Sequence, residues 1–287
     1  MATNGKLPLQ GMTAVVTAGG GAIGSATAGI LVRDGANVLI SGRTQEKLER
    51  VCDSLAADAK EAGGSIGWQV ANGLDEDQIR SLVASAVDIT GKLDMAVNVV
   101  GGGGGGTAPV LRYSVEMLES TLRQNITSAY LLLKHAGGAM VRQGGGSFVA
   151  VSSMQATETA PYLAAYCASK AGLEMLCRTA ADELGEHNVR INMVRPGLTR
   201  TGVATHPSSN DAAMAAYYEQ QPLKRPGQPQ NIANAIRYFL GPESGWTTGV
   251  AMAVDGGNSL RRFPDLRFYW AERISGEMEK ADRGEVD

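Results

Sequence analysis

The stretch Thr17-Ala18-Gly19-Gly20-Gly21-Ala22-Ile23-Gly24 joins a short apolar run, residues 12–17, to a run with helical character, residues 23–34. The apolar run predicts a buried parallel strand, and the second run predicts a helix. Glycines at such a junction let the chain turn sharply and let phosphate groups approach the N–H groups at the helix start. The turn therefore predicts a dinucleotide site, with candidate contacts at Thr17, Gly19, Gly21, Ala22, Ile23 and Gly24. A tight, well-packed turn without a ligand is the alternative.

Strands and helices alternate along the rest of the chain. The predicted strands cover residues 37–41, 65–70, 93–98, 146–152, 189–194 and 250–254. The predicted helices cover residues 44–62, 75–90, 115–141, 160–184, 211–220 and 231–240. This alternation predicts an α/β fold, a doubly wound parallel sheet of about seven strands with helices on both faces, in a single domain of residues 1–260.

Two segments stand apart from this pattern. Residues 198–222 are polar and irregular, and they follow the sixth strand at the carboxyl edge of the sheet, so we expect them to form a substrate lid. Residues 261–287 form a C-terminal extension that contains Phe268, Tyr269 and Trp270. The extension is either an extra helix packed on the body of the protein, or a subunit contact or cover of the substrate pocket.

The composition argues against several classes of protein. The net charge is −3, aromatic residues make up 5%, and no basic stripe is present, so nucleic-acid binding is not expected. Cys52, Cys167 and Cys177 lack CxxC spacing and predict free thiols in the cytoplasm. The histidines are widely separated, so no metal site is expected. Residues 14–32 carry no charge but contain glycines in their middle, so neither a membrane segment nor a targeting signal is expected.

The end of the second predicted strand bears on the choice of dinucleotide. An acid there would hold the ribose 2′-OH of NAD, whereas a basic residue would accept the 2′-phosphate of NADP. The segment reads Ile40-Ser41-Gly42-Arg43-Thr44, with no acid and with an arginine suited to phosphate. NADP(H) is therefore favoured and NAD(H) stays possible. A solvated surface role for Arg43 is the alternative.

A tyrosine and a lysine lie four residues apart in the predicted helix 160–184. Tyr166 and Lys170 therefore share one helix face, one turn apart. A lysine ammonium near a phenol favours the phenolate and lowers its pKa, so Tyr166 could exchange a proton with a substrate oxygen near neutral pH. This spacing alone also occurs by chance on many helices.

Together these features resemble the short-chain dehydrogenase/reductase family over roughly residues 9–260. The family's Tyr-x-x-x-Lys pair falls on Tyr166 and Lys170, and Ser153 stands thirteen residues before the tyrosine, as the family's serine does. Further matches are Asn125, Pro196-Gly197, Thr201 and Asp255-Gly256-Gly257.

The sequence also departs from the family's pattern. Ala18 and Ala22 replace two glycines of the first turn, and Asn98-Val99-Val100-Gly101 stands where the family has Asn-Asn-Ala-Gly. Asn72, followed by Gly73, takes the place of an aspartate that usually contacts the adenine. The asparagine carbonyl can still accept a hydrogen bond from an adenine amino group.

The resemblance implies a Rossmann-type fold and hydride transfer between a nicotinamide cofactor and a ketone or secondary alcohol. Tyr166 would be the acid/base, Ser153 would hydrogen-bond the reacting oxygen, Lys170 would bind the nicotinamide ribose, and Asn125 would anchor a water. Other implied cofactor contacts are Asn72, Gly73, Asn98, Gly101, Tyr166, Pro196, Gly197 and Thr201.

The resemblance also implies a homo-oligomer, a dimer or tetramer, built through the predicted helix 115–141 and the last strand. Apolar residues in the expected lid suggest an apolar substrate, such as a 3-oxoacyl thioester, a steroid or a cyclic ketone. Packing of the lid onto the body is the alternative role of these residues. The alternative is a nucleotide-binding regulatory or scaffold protein that has lost turnover.

Overall fold

The computed structural model describes residues 7–102, 106–201 and 210–287, and its centre is a seven-stranded parallel sheet. The strands are β1 (Thr13–Val16), β2 (Asn37–Gly42), β3 (Ser65–Val70), β4 (Met95–Asn98), β5 (Gly146–Val151), β6 (Val189–Pro196) and β7 (Ala251–Val254). Their spatial order is β3-β2-β1-β4-β5-β6-β7, and every pairing is parallel. The predicted sheet of about seven strands is confirmed.

Helices cover both faces of the sheet. They are α1 (Ala22–Arg33), α2 (Gln45–Glu61), α3 (Glu76–Thr90), α4 (Val115–Leu122), α5 (Ser128–Gln143), α6 (Ala164–Leu184), α7 (Asp211–Gln220), α8 (Pro229–Leu240) and α9 (Arg267–Asp282). Side chains alternate across a strand, so Val15 enters one hydrophobic core while Ala14 and Val16 enter the core on the opposite face. All four residues of β1 are buried, as expected for a central strand.

The strand order reverses next to β1, and this reversal determines where a ligand can bind. β1 pairs with β2 on one side and with β4 on the other, and the chain leaves the two carboxyl ends in opposite directions. A crevice therefore opens at the carboxyl ends of β1 and β4, which is where doubly wound folds bind nucleotides.

Two predicted helices differ from the structure in their extent. The helix predicted for 115–141 is interrupted by a π-helical turn, Arg123–Thr127, which contains the buried Asn125. The helix predicted from residue 160 begins at Ala164. Tyr162 has a positive φ of 68°, and the residue before Pro161 is biased away from helical geometry, so the first turn cannot form earlier.

The C-terminal extension packs onto the body of the protein. Leu266, Tyr269 and Trp270 are buried in a third apolar cluster together with Met214 and Tyr217 of α7. Farther along, Arg112 Nε donates to Glu277 Oε2 over 2.6 Å and fastens α9 to the body. The extension is therefore attached to the body through both an apolar cluster and an ion pair.

Part of the expected lid, residues 202–209, lies outside the described residues. Within the described ranges, no helix is both long enough and apolar enough to cross a membrane.

Candidate active site

A continuous cleft runs along the carboxyl edge of the sheet. It consists of a smaller cavity of about 300 Å³ beside β2 and a larger one of about 930 Å³ beside β5 and α6. The two cavities share six lining residues, which are Ala18, Gly20, Gly21, Lys47, Val99 and Gly101. The glycine turn therefore lies at the junction of the two cavities.

The start of α1 is built to receive an anion. Its N-cap residue, Gly21, offers no side-chain hydrogen bond, and the first turn contains no acid, so the first N–H groups have no side-chain partner. A Cβ atom on Gly24 would lie 2.4 Å from the carbonyl oxygen of Ala18, so only glycine lets the turn pack this closely on the helix. This cradle of N–H groups fits the diphosphate of a dinucleotide.

Most predicted site residues line this cleft. Thr17, Arg43, Asn72 and Gly73 line the smaller cavity. The larger cavity is lined by Ala22, Ile23, Gly24, Ser153, Tyr166, Lys170, Pro196, Gly197 and Thr201. Gly21 and Gly101 line both cavities.

Three predicted site residues lie behind the cavity wall. Gly19 packs against β2, where a Cβ atom would meet Ile40 at 2.5 Å. Asn98 is buried, and its Nδ2 donates to the carbonyl of Val100 over 3.2 Å. Gly19 and Asn98 therefore support the cavity wall from behind and are not exposed to the cavity. The third residue behind the wall is Asn125.

Asn125 holds the loop that follows β4. Its Oδ1 accepts from Gly102 N over 3.0 Å, and its Nδ2 donates to Gly102 O over 2.8 Å and to Thr121 O over 3.0 Å. A Cβ atom on Gly101 would lie 2.8 Å from Asn125 Oδ1 and 2.9 Å from Lys170 Nζ. Gly101 therefore lies directly between the amide and the ammonium, where no side chain could fit.

Helix α6 brings the tyrosine and the lysine together as the four-residue spacing predicts. Lys170 Nζ lies 5.7 Å from the centre of the Tyr166 ring and donates to the carbonyl of Val151 over 2.9 Å. Burial lowers the pKa of Lys170 to about 8.

The expected lowering of the tyrosine pKa is wrong for this structure. Burial raises the pKa of Tyr166 above its ordinary value, while its hydrogen bond with Ser153 acts in the opposite direction. Desolvation of the phenolate is the largest cause of this shift.

A buried ion pair supports the site from behind. Glu174, one turn beyond Lys170 on α6, accepts from Arg195 Nε over 2.6 Å and from Ser152 Oγ over 2.7 Å. Ser152 precedes Ser153, and Arg195 precedes Pro196. The Glu174 carboxylate therefore joins β5, α6 and β6 at the positions where these elements contribute residues to the cavity.

Sequence reasoning missed several residues that line the cleft. Lys47 lies in the first turn of α2, four residues after Arg43, and lines both cavities; its nearness to Arg43 in the sequence could have revealed it. Gln155 follows Ser153 by two residues and lines the larger cavity. Trp270 and Arg273 of α9 line it as well, although no local pattern shows that a C-terminal helix reaches this cavity.

Comparisons with known proteins agree with this geometry. A family model described as enoyl-(acyl carrier protein) reductase matches residues 18–259. The structure of a short-chain type dehydrogenase/reductase from Mycobacterium ulcerans is 34% identical with a TM-score of 0.90, and the match covers 93% of this chain and 97% of that one. The chain belongs to the short-chain dehydrogenase/reductase family. It is an NAD(P)-dependent oxidoreductase.

Two further proteins similar to this short-chain dehydrogenase/reductase are hydroxysteroid dehydrogenases by name. The 7alpha-hydroxysteroid dehydrogenase of Clostridium sardiniense is 32% identical over 88% of this chain and 95% of its own length. A solved 7alpha-hydroxysteroid dehydrogenase in complex with NADH and 7-oxo glycochenodeoxycholic acid is 28% identical with a TM-score of 0.77, covering 90% of this chain and 98% of that one. The comparisons give no support to the alternative of a protein without turnover.

The short-chain dehydrogenase/reductase motif is altered at its first glycine, yet the turn forms. Ala18 takes that position with a φ of 50°, the left-handed geometry that glycine adopts without strain. Gly19, Gly20 and Gly21 do not have positive φ values, so the alanine itself makes the turn.

Proposed function

We propose that the protein interconverts a ketone and a secondary alcohol with NADP(H) as the favoured cofactor. The observation that carries the proposal is the joint placement of Ser153, Tyr166 and Lys170 on one cavity of about 930 Å³ that opens onto the glycine turn. A cofactor whose diphosphate lies at the start of α1 would reach along the cleft toward these three side chains.

The chain's own residues would handle the proton. The nicotinamide, when bound, supplies or accepts the hydride at the carbonyl carbon. The Tyr166 phenol gives a proton to the oxygen in reduction and takes it back in oxidation, next to Ser153. With a pKa of about 8, Lys170 is largely protonated at neutral pH, and its ammonium favours the phenolate and can bind the ribose hydroxyls.

The cavity wall favours an apolar substrate. On the substrate side it is formed by Met154, Leu163, Leu198, Tyr217, Phe263 and Trp270. Such a wall suits a steroid, a cyclic ketone or a 3-oxoacyl thioester, and a hydroxysteroid is the substrate class in the names of two relatives. The expected lid over residues 198–222 remains part of this proposal.

The preference for NADP(H) rests on the charges beside β2. Arg43 and Lys47 both line the smaller cavity, and none of the described residues that line it is acidic. A 2′-phosphate there would gain charge-assisted hydrogen bonds of about 1.5–3 kcal/mol each.

This preference can be tested by binding measurements. We expect Arg43→Ala and Lys47→Ala each to raise the Kd for NADPH about 10- to 100-fold and to change the Kd for NADH less than threefold. Arg50→Ala is the matched control, because Arg50 lies on α2, as Lys47 does, and lines neither cavity. Equal losses for both dinucleotides would remove Arg43 and Lys47 from the phosphate site.

The proposal includes a homo-oligomer, a dimer or tetramer. Val110, Val115 and Leu118 are exposed apolar side chains at and before α4, and Trp246 is fully exposed before β7. Light scattering that gives the mass of one chain at micromolar concentration would contradict the homo-oligomer.

The proposed cytoplasmic location rests on the three cysteines, which are all free thiols. The division of the chain near residue 260, between a single domain and a C-terminal extension, stays a prediction.

The test of the function is absorbance at the nicotinamide band with NADPH or NADH and a panel of apolar ketones and secondary alcohols. We expect turnover with at least one carbonyl class and a loss of at least about 10³-fold in Tyr166→Phe, which cannot supply the proton. Tight cofactor binding without turnover on any panel member would instead support a protein that only binds the nucleotide.

A further inference from the structure

Tyr217 is a buried residue in the wall of the larger cavity, and the proposed mechanism does not use its hydroxyl group. The residue lies on α7, its exposed fraction is 6%, and it lines the same cavity as Tyr166. Its ring packs edge-on against Phe263, with the ring centres 5.5 Å apart and an interplanar angle of 88°. This packing fixes the axis of the ring, and the hydroxyl lies on that axis, so its position is fixed as well.

The hydroxyl of Tyr217 has no hydrogen-bond partner among the residues that the structure describes. It is not sealed inside the protein, because the only fully buried side-chain N or O atom without a partner among those residues is Asn258 Oδ1. Since Tyr217 is otherwise buried and lines the larger cavity, we place its accessible hydroxyl in that cavity. An unpaired hydroxyl in a buried position is unfavourable, so this position suits a ligand that supplies the missing hydrogen bond.

The packing of Tyr217 places it beside the reacting groups. It belongs to the apolar cluster that contains Leu198, which follows Gly197, and that packs against Leu163, the residue before α6. Leu163 and Leu198 also line the larger cavity. Tyr217 therefore contributes to the same part of the wall as the segments that carry Tyr166 and Pro196-Gly197.

The surroundings of Tyr217 suit hydrogen bonding and do not suit proton transfer. Lys170 Nζ lies 5.7 Å from the ring centre of Tyr166, whereas the ring that packs against Tyr217 is the apolar Phe263. Burial raises the pKa of Tyr217, and the charge of a Tyr166 phenolate raises it further. The hydroxyl therefore keeps its proton, and it can donate one hydrogen bond and accept others.

We propose that Tyr217 is a specificity-determining residue whose hydroxyl forms a hydrogen bond with a second oxygen of the substrate, a hydroxyl or carbonyl oxygen near the reacting carbon. The inference rests on the proposed function, because it requires a ketone or alcohol in the cavity. The preferred substrates would then be largely apolar hydroxyketones, diketones or diols. A ketone with a single oxygen would leave the Tyr217 hydroxyl unpaired. Hydride and proton transfer at the reacting carbonyl are unchanged.

The test compares a ketone that the wild type turns over with the same ketone carrying a hydroxyl or a second carbonyl at different positions, such as cyclohexanone with the hydroxycyclohexanones and cyclohexanediones. Tyr217→Phe removes the hydroxyl and keeps the ring that packs against Phe263. We expect its KM to rise about 10-fold for at least one oxygenated ketone, with kcat changed by less than about threefold, because the hydrogen bond contributes to binding. The KM for the parent ketone should stay within about twofold of the wild-type value.

Tyr218→Phe is the matched control. Tyr218 lies next to Tyr217 on α7, undergoes the same chemical change, and lines neither cavity. We expect wild-type KM values for both kinds of ketone in this variant. Because the Tyr217 hydroxyl has no described partner in the protein, Tyr217→Phe should lower Tm by less than about 2 °C. The cofactor Kd should equal that of the wild type in both variants.

Four results would overturn the inference while the proposed function stands. Wild-type KM values for every oxygenated ketone in Tyr217→Phe would show that only water meets this hydroxyl. Equal losses on parent and oxygenated ketones, or a clear fall in Tm, would show a structural role. Wild-type turnover of the parent ketone but of none of its oxygenated forms would also contradict it. Absence of wild-type turnover on every carbonyl would instead remove the proposed function, and the inference with it.

Discussion

Glu174 makes one buried and one exposed ion pair, and the two should differ sharply in their contribution to stability. The carboxylate is almost fully buried and makes a bidentate ion pair with Arg195, whose Nη2 lies 2.5 Å from Oε2. Arg178, on the exposed side of α6, reaches the same Oε2 atom over 3.3 Å. The same acceptor therefore allows a matched comparison of two arginines.

The expected magnitudes follow from burial. Breaking a buried ion pair leaves an uncompensated charge and costs about 3–5 kcal/mol. Since Ser152 and Arg178 still contact the carboxylate, we expect Arg195→Met to cost about 3 kcal/mol. An exposed i,i+4 pair contributes about 0.3–0.5 kcal/mol, so Arg178→Met should be nearly neutral.

Thermal and urea unfolding, followed by circular dichroism at fixed protein concentration, measure this difference. We expect Tm to fall by about 5–10 °C in Arg195→Met and by less than about 2 °C in Arg178→Met. Activity should also fall in Arg195→Met, because the carboxylate joins the ends of β5 and β6 behind Lys170. Equal destabilisation by the two variants would refute the argument that burial determines the strength of these ion pairs.

Three further changes are expected to have measurable results. Ala18→Gly should raise the free energy of unfolding by about 0.5–1 kcal/mol in urea titrations, because residue 18 has a φ of 50°; a destabilised variant would contradict this strain. Gly24→Ala should weaken dinucleotide binding at least tenfold in fluorescence titrations, because its Cβ would lie 2.4 Å from the Ala18 carbonyl; an unchanged Kd would argue against the cradle. The pKa of Lys170 is lowered from 10.5 to about 8, so burial disfavours its charged form below pH 8 and this cost disappears as the pH rises to 10.5. Between pH 8 and 10.5, the free energy of unfolding of the wild type, measured in urea, should therefore rise by on the order of 3 kcal/mol relative to that of Lys170→Met. If the unfolding free energies of the two proteins change in parallel with pH, the lowered pKa is contradicted.

The sequence predicted the elements of the fold well where local periodicity and turn chemistry agree. The strand, glycine turn and helix at residues 12–34 appear as predicted, because a central strand is apolar throughout and the turn requires small residues. The four-residue spacing of Tyr166 and Lys170 placed both side chains in one cavity, because that spacing corresponds to one helical turn.

Features that depend on tertiary packing were not predicted. The π-helical turn contains Asn125, whose side chain hydrogen-bonds to the loop after β4, a partner 23 residues away in the sequence that local periodicity does not show. The pKa of Tyr166 is raised mainly by desolvation, which a spacing within one helix does not show.

The role of the C-terminal extension also depends on tertiary packing. Its aromatic cluster left two interpretations open, an extra helix packed on the body, or a subunit contact or cover of the substrate pocket. Trp270 is buried in the apolar cluster that includes residues of α7 and also lines the larger cavity, and both interpretations stay predictions. Amino-acid composition could identify the apolar face of this helix but not the surface that it would cover.

The most direct test of the central claim is the transfer of an isotope. NADPH carrying deuterium at the transferable position of the nicotinamide ring should be incubated with the wild type and a ketone that it turns over, and the alcohol analysed by mass spectrometry. We predict one deuterium on the carbinol carbon of the product, and no labelled alcohol with Tyr166→Phe on the same timescale. Product alcohol without the label, or equal labelling by both proteins, would contradict direct hydride transfer assisted by Tyr166.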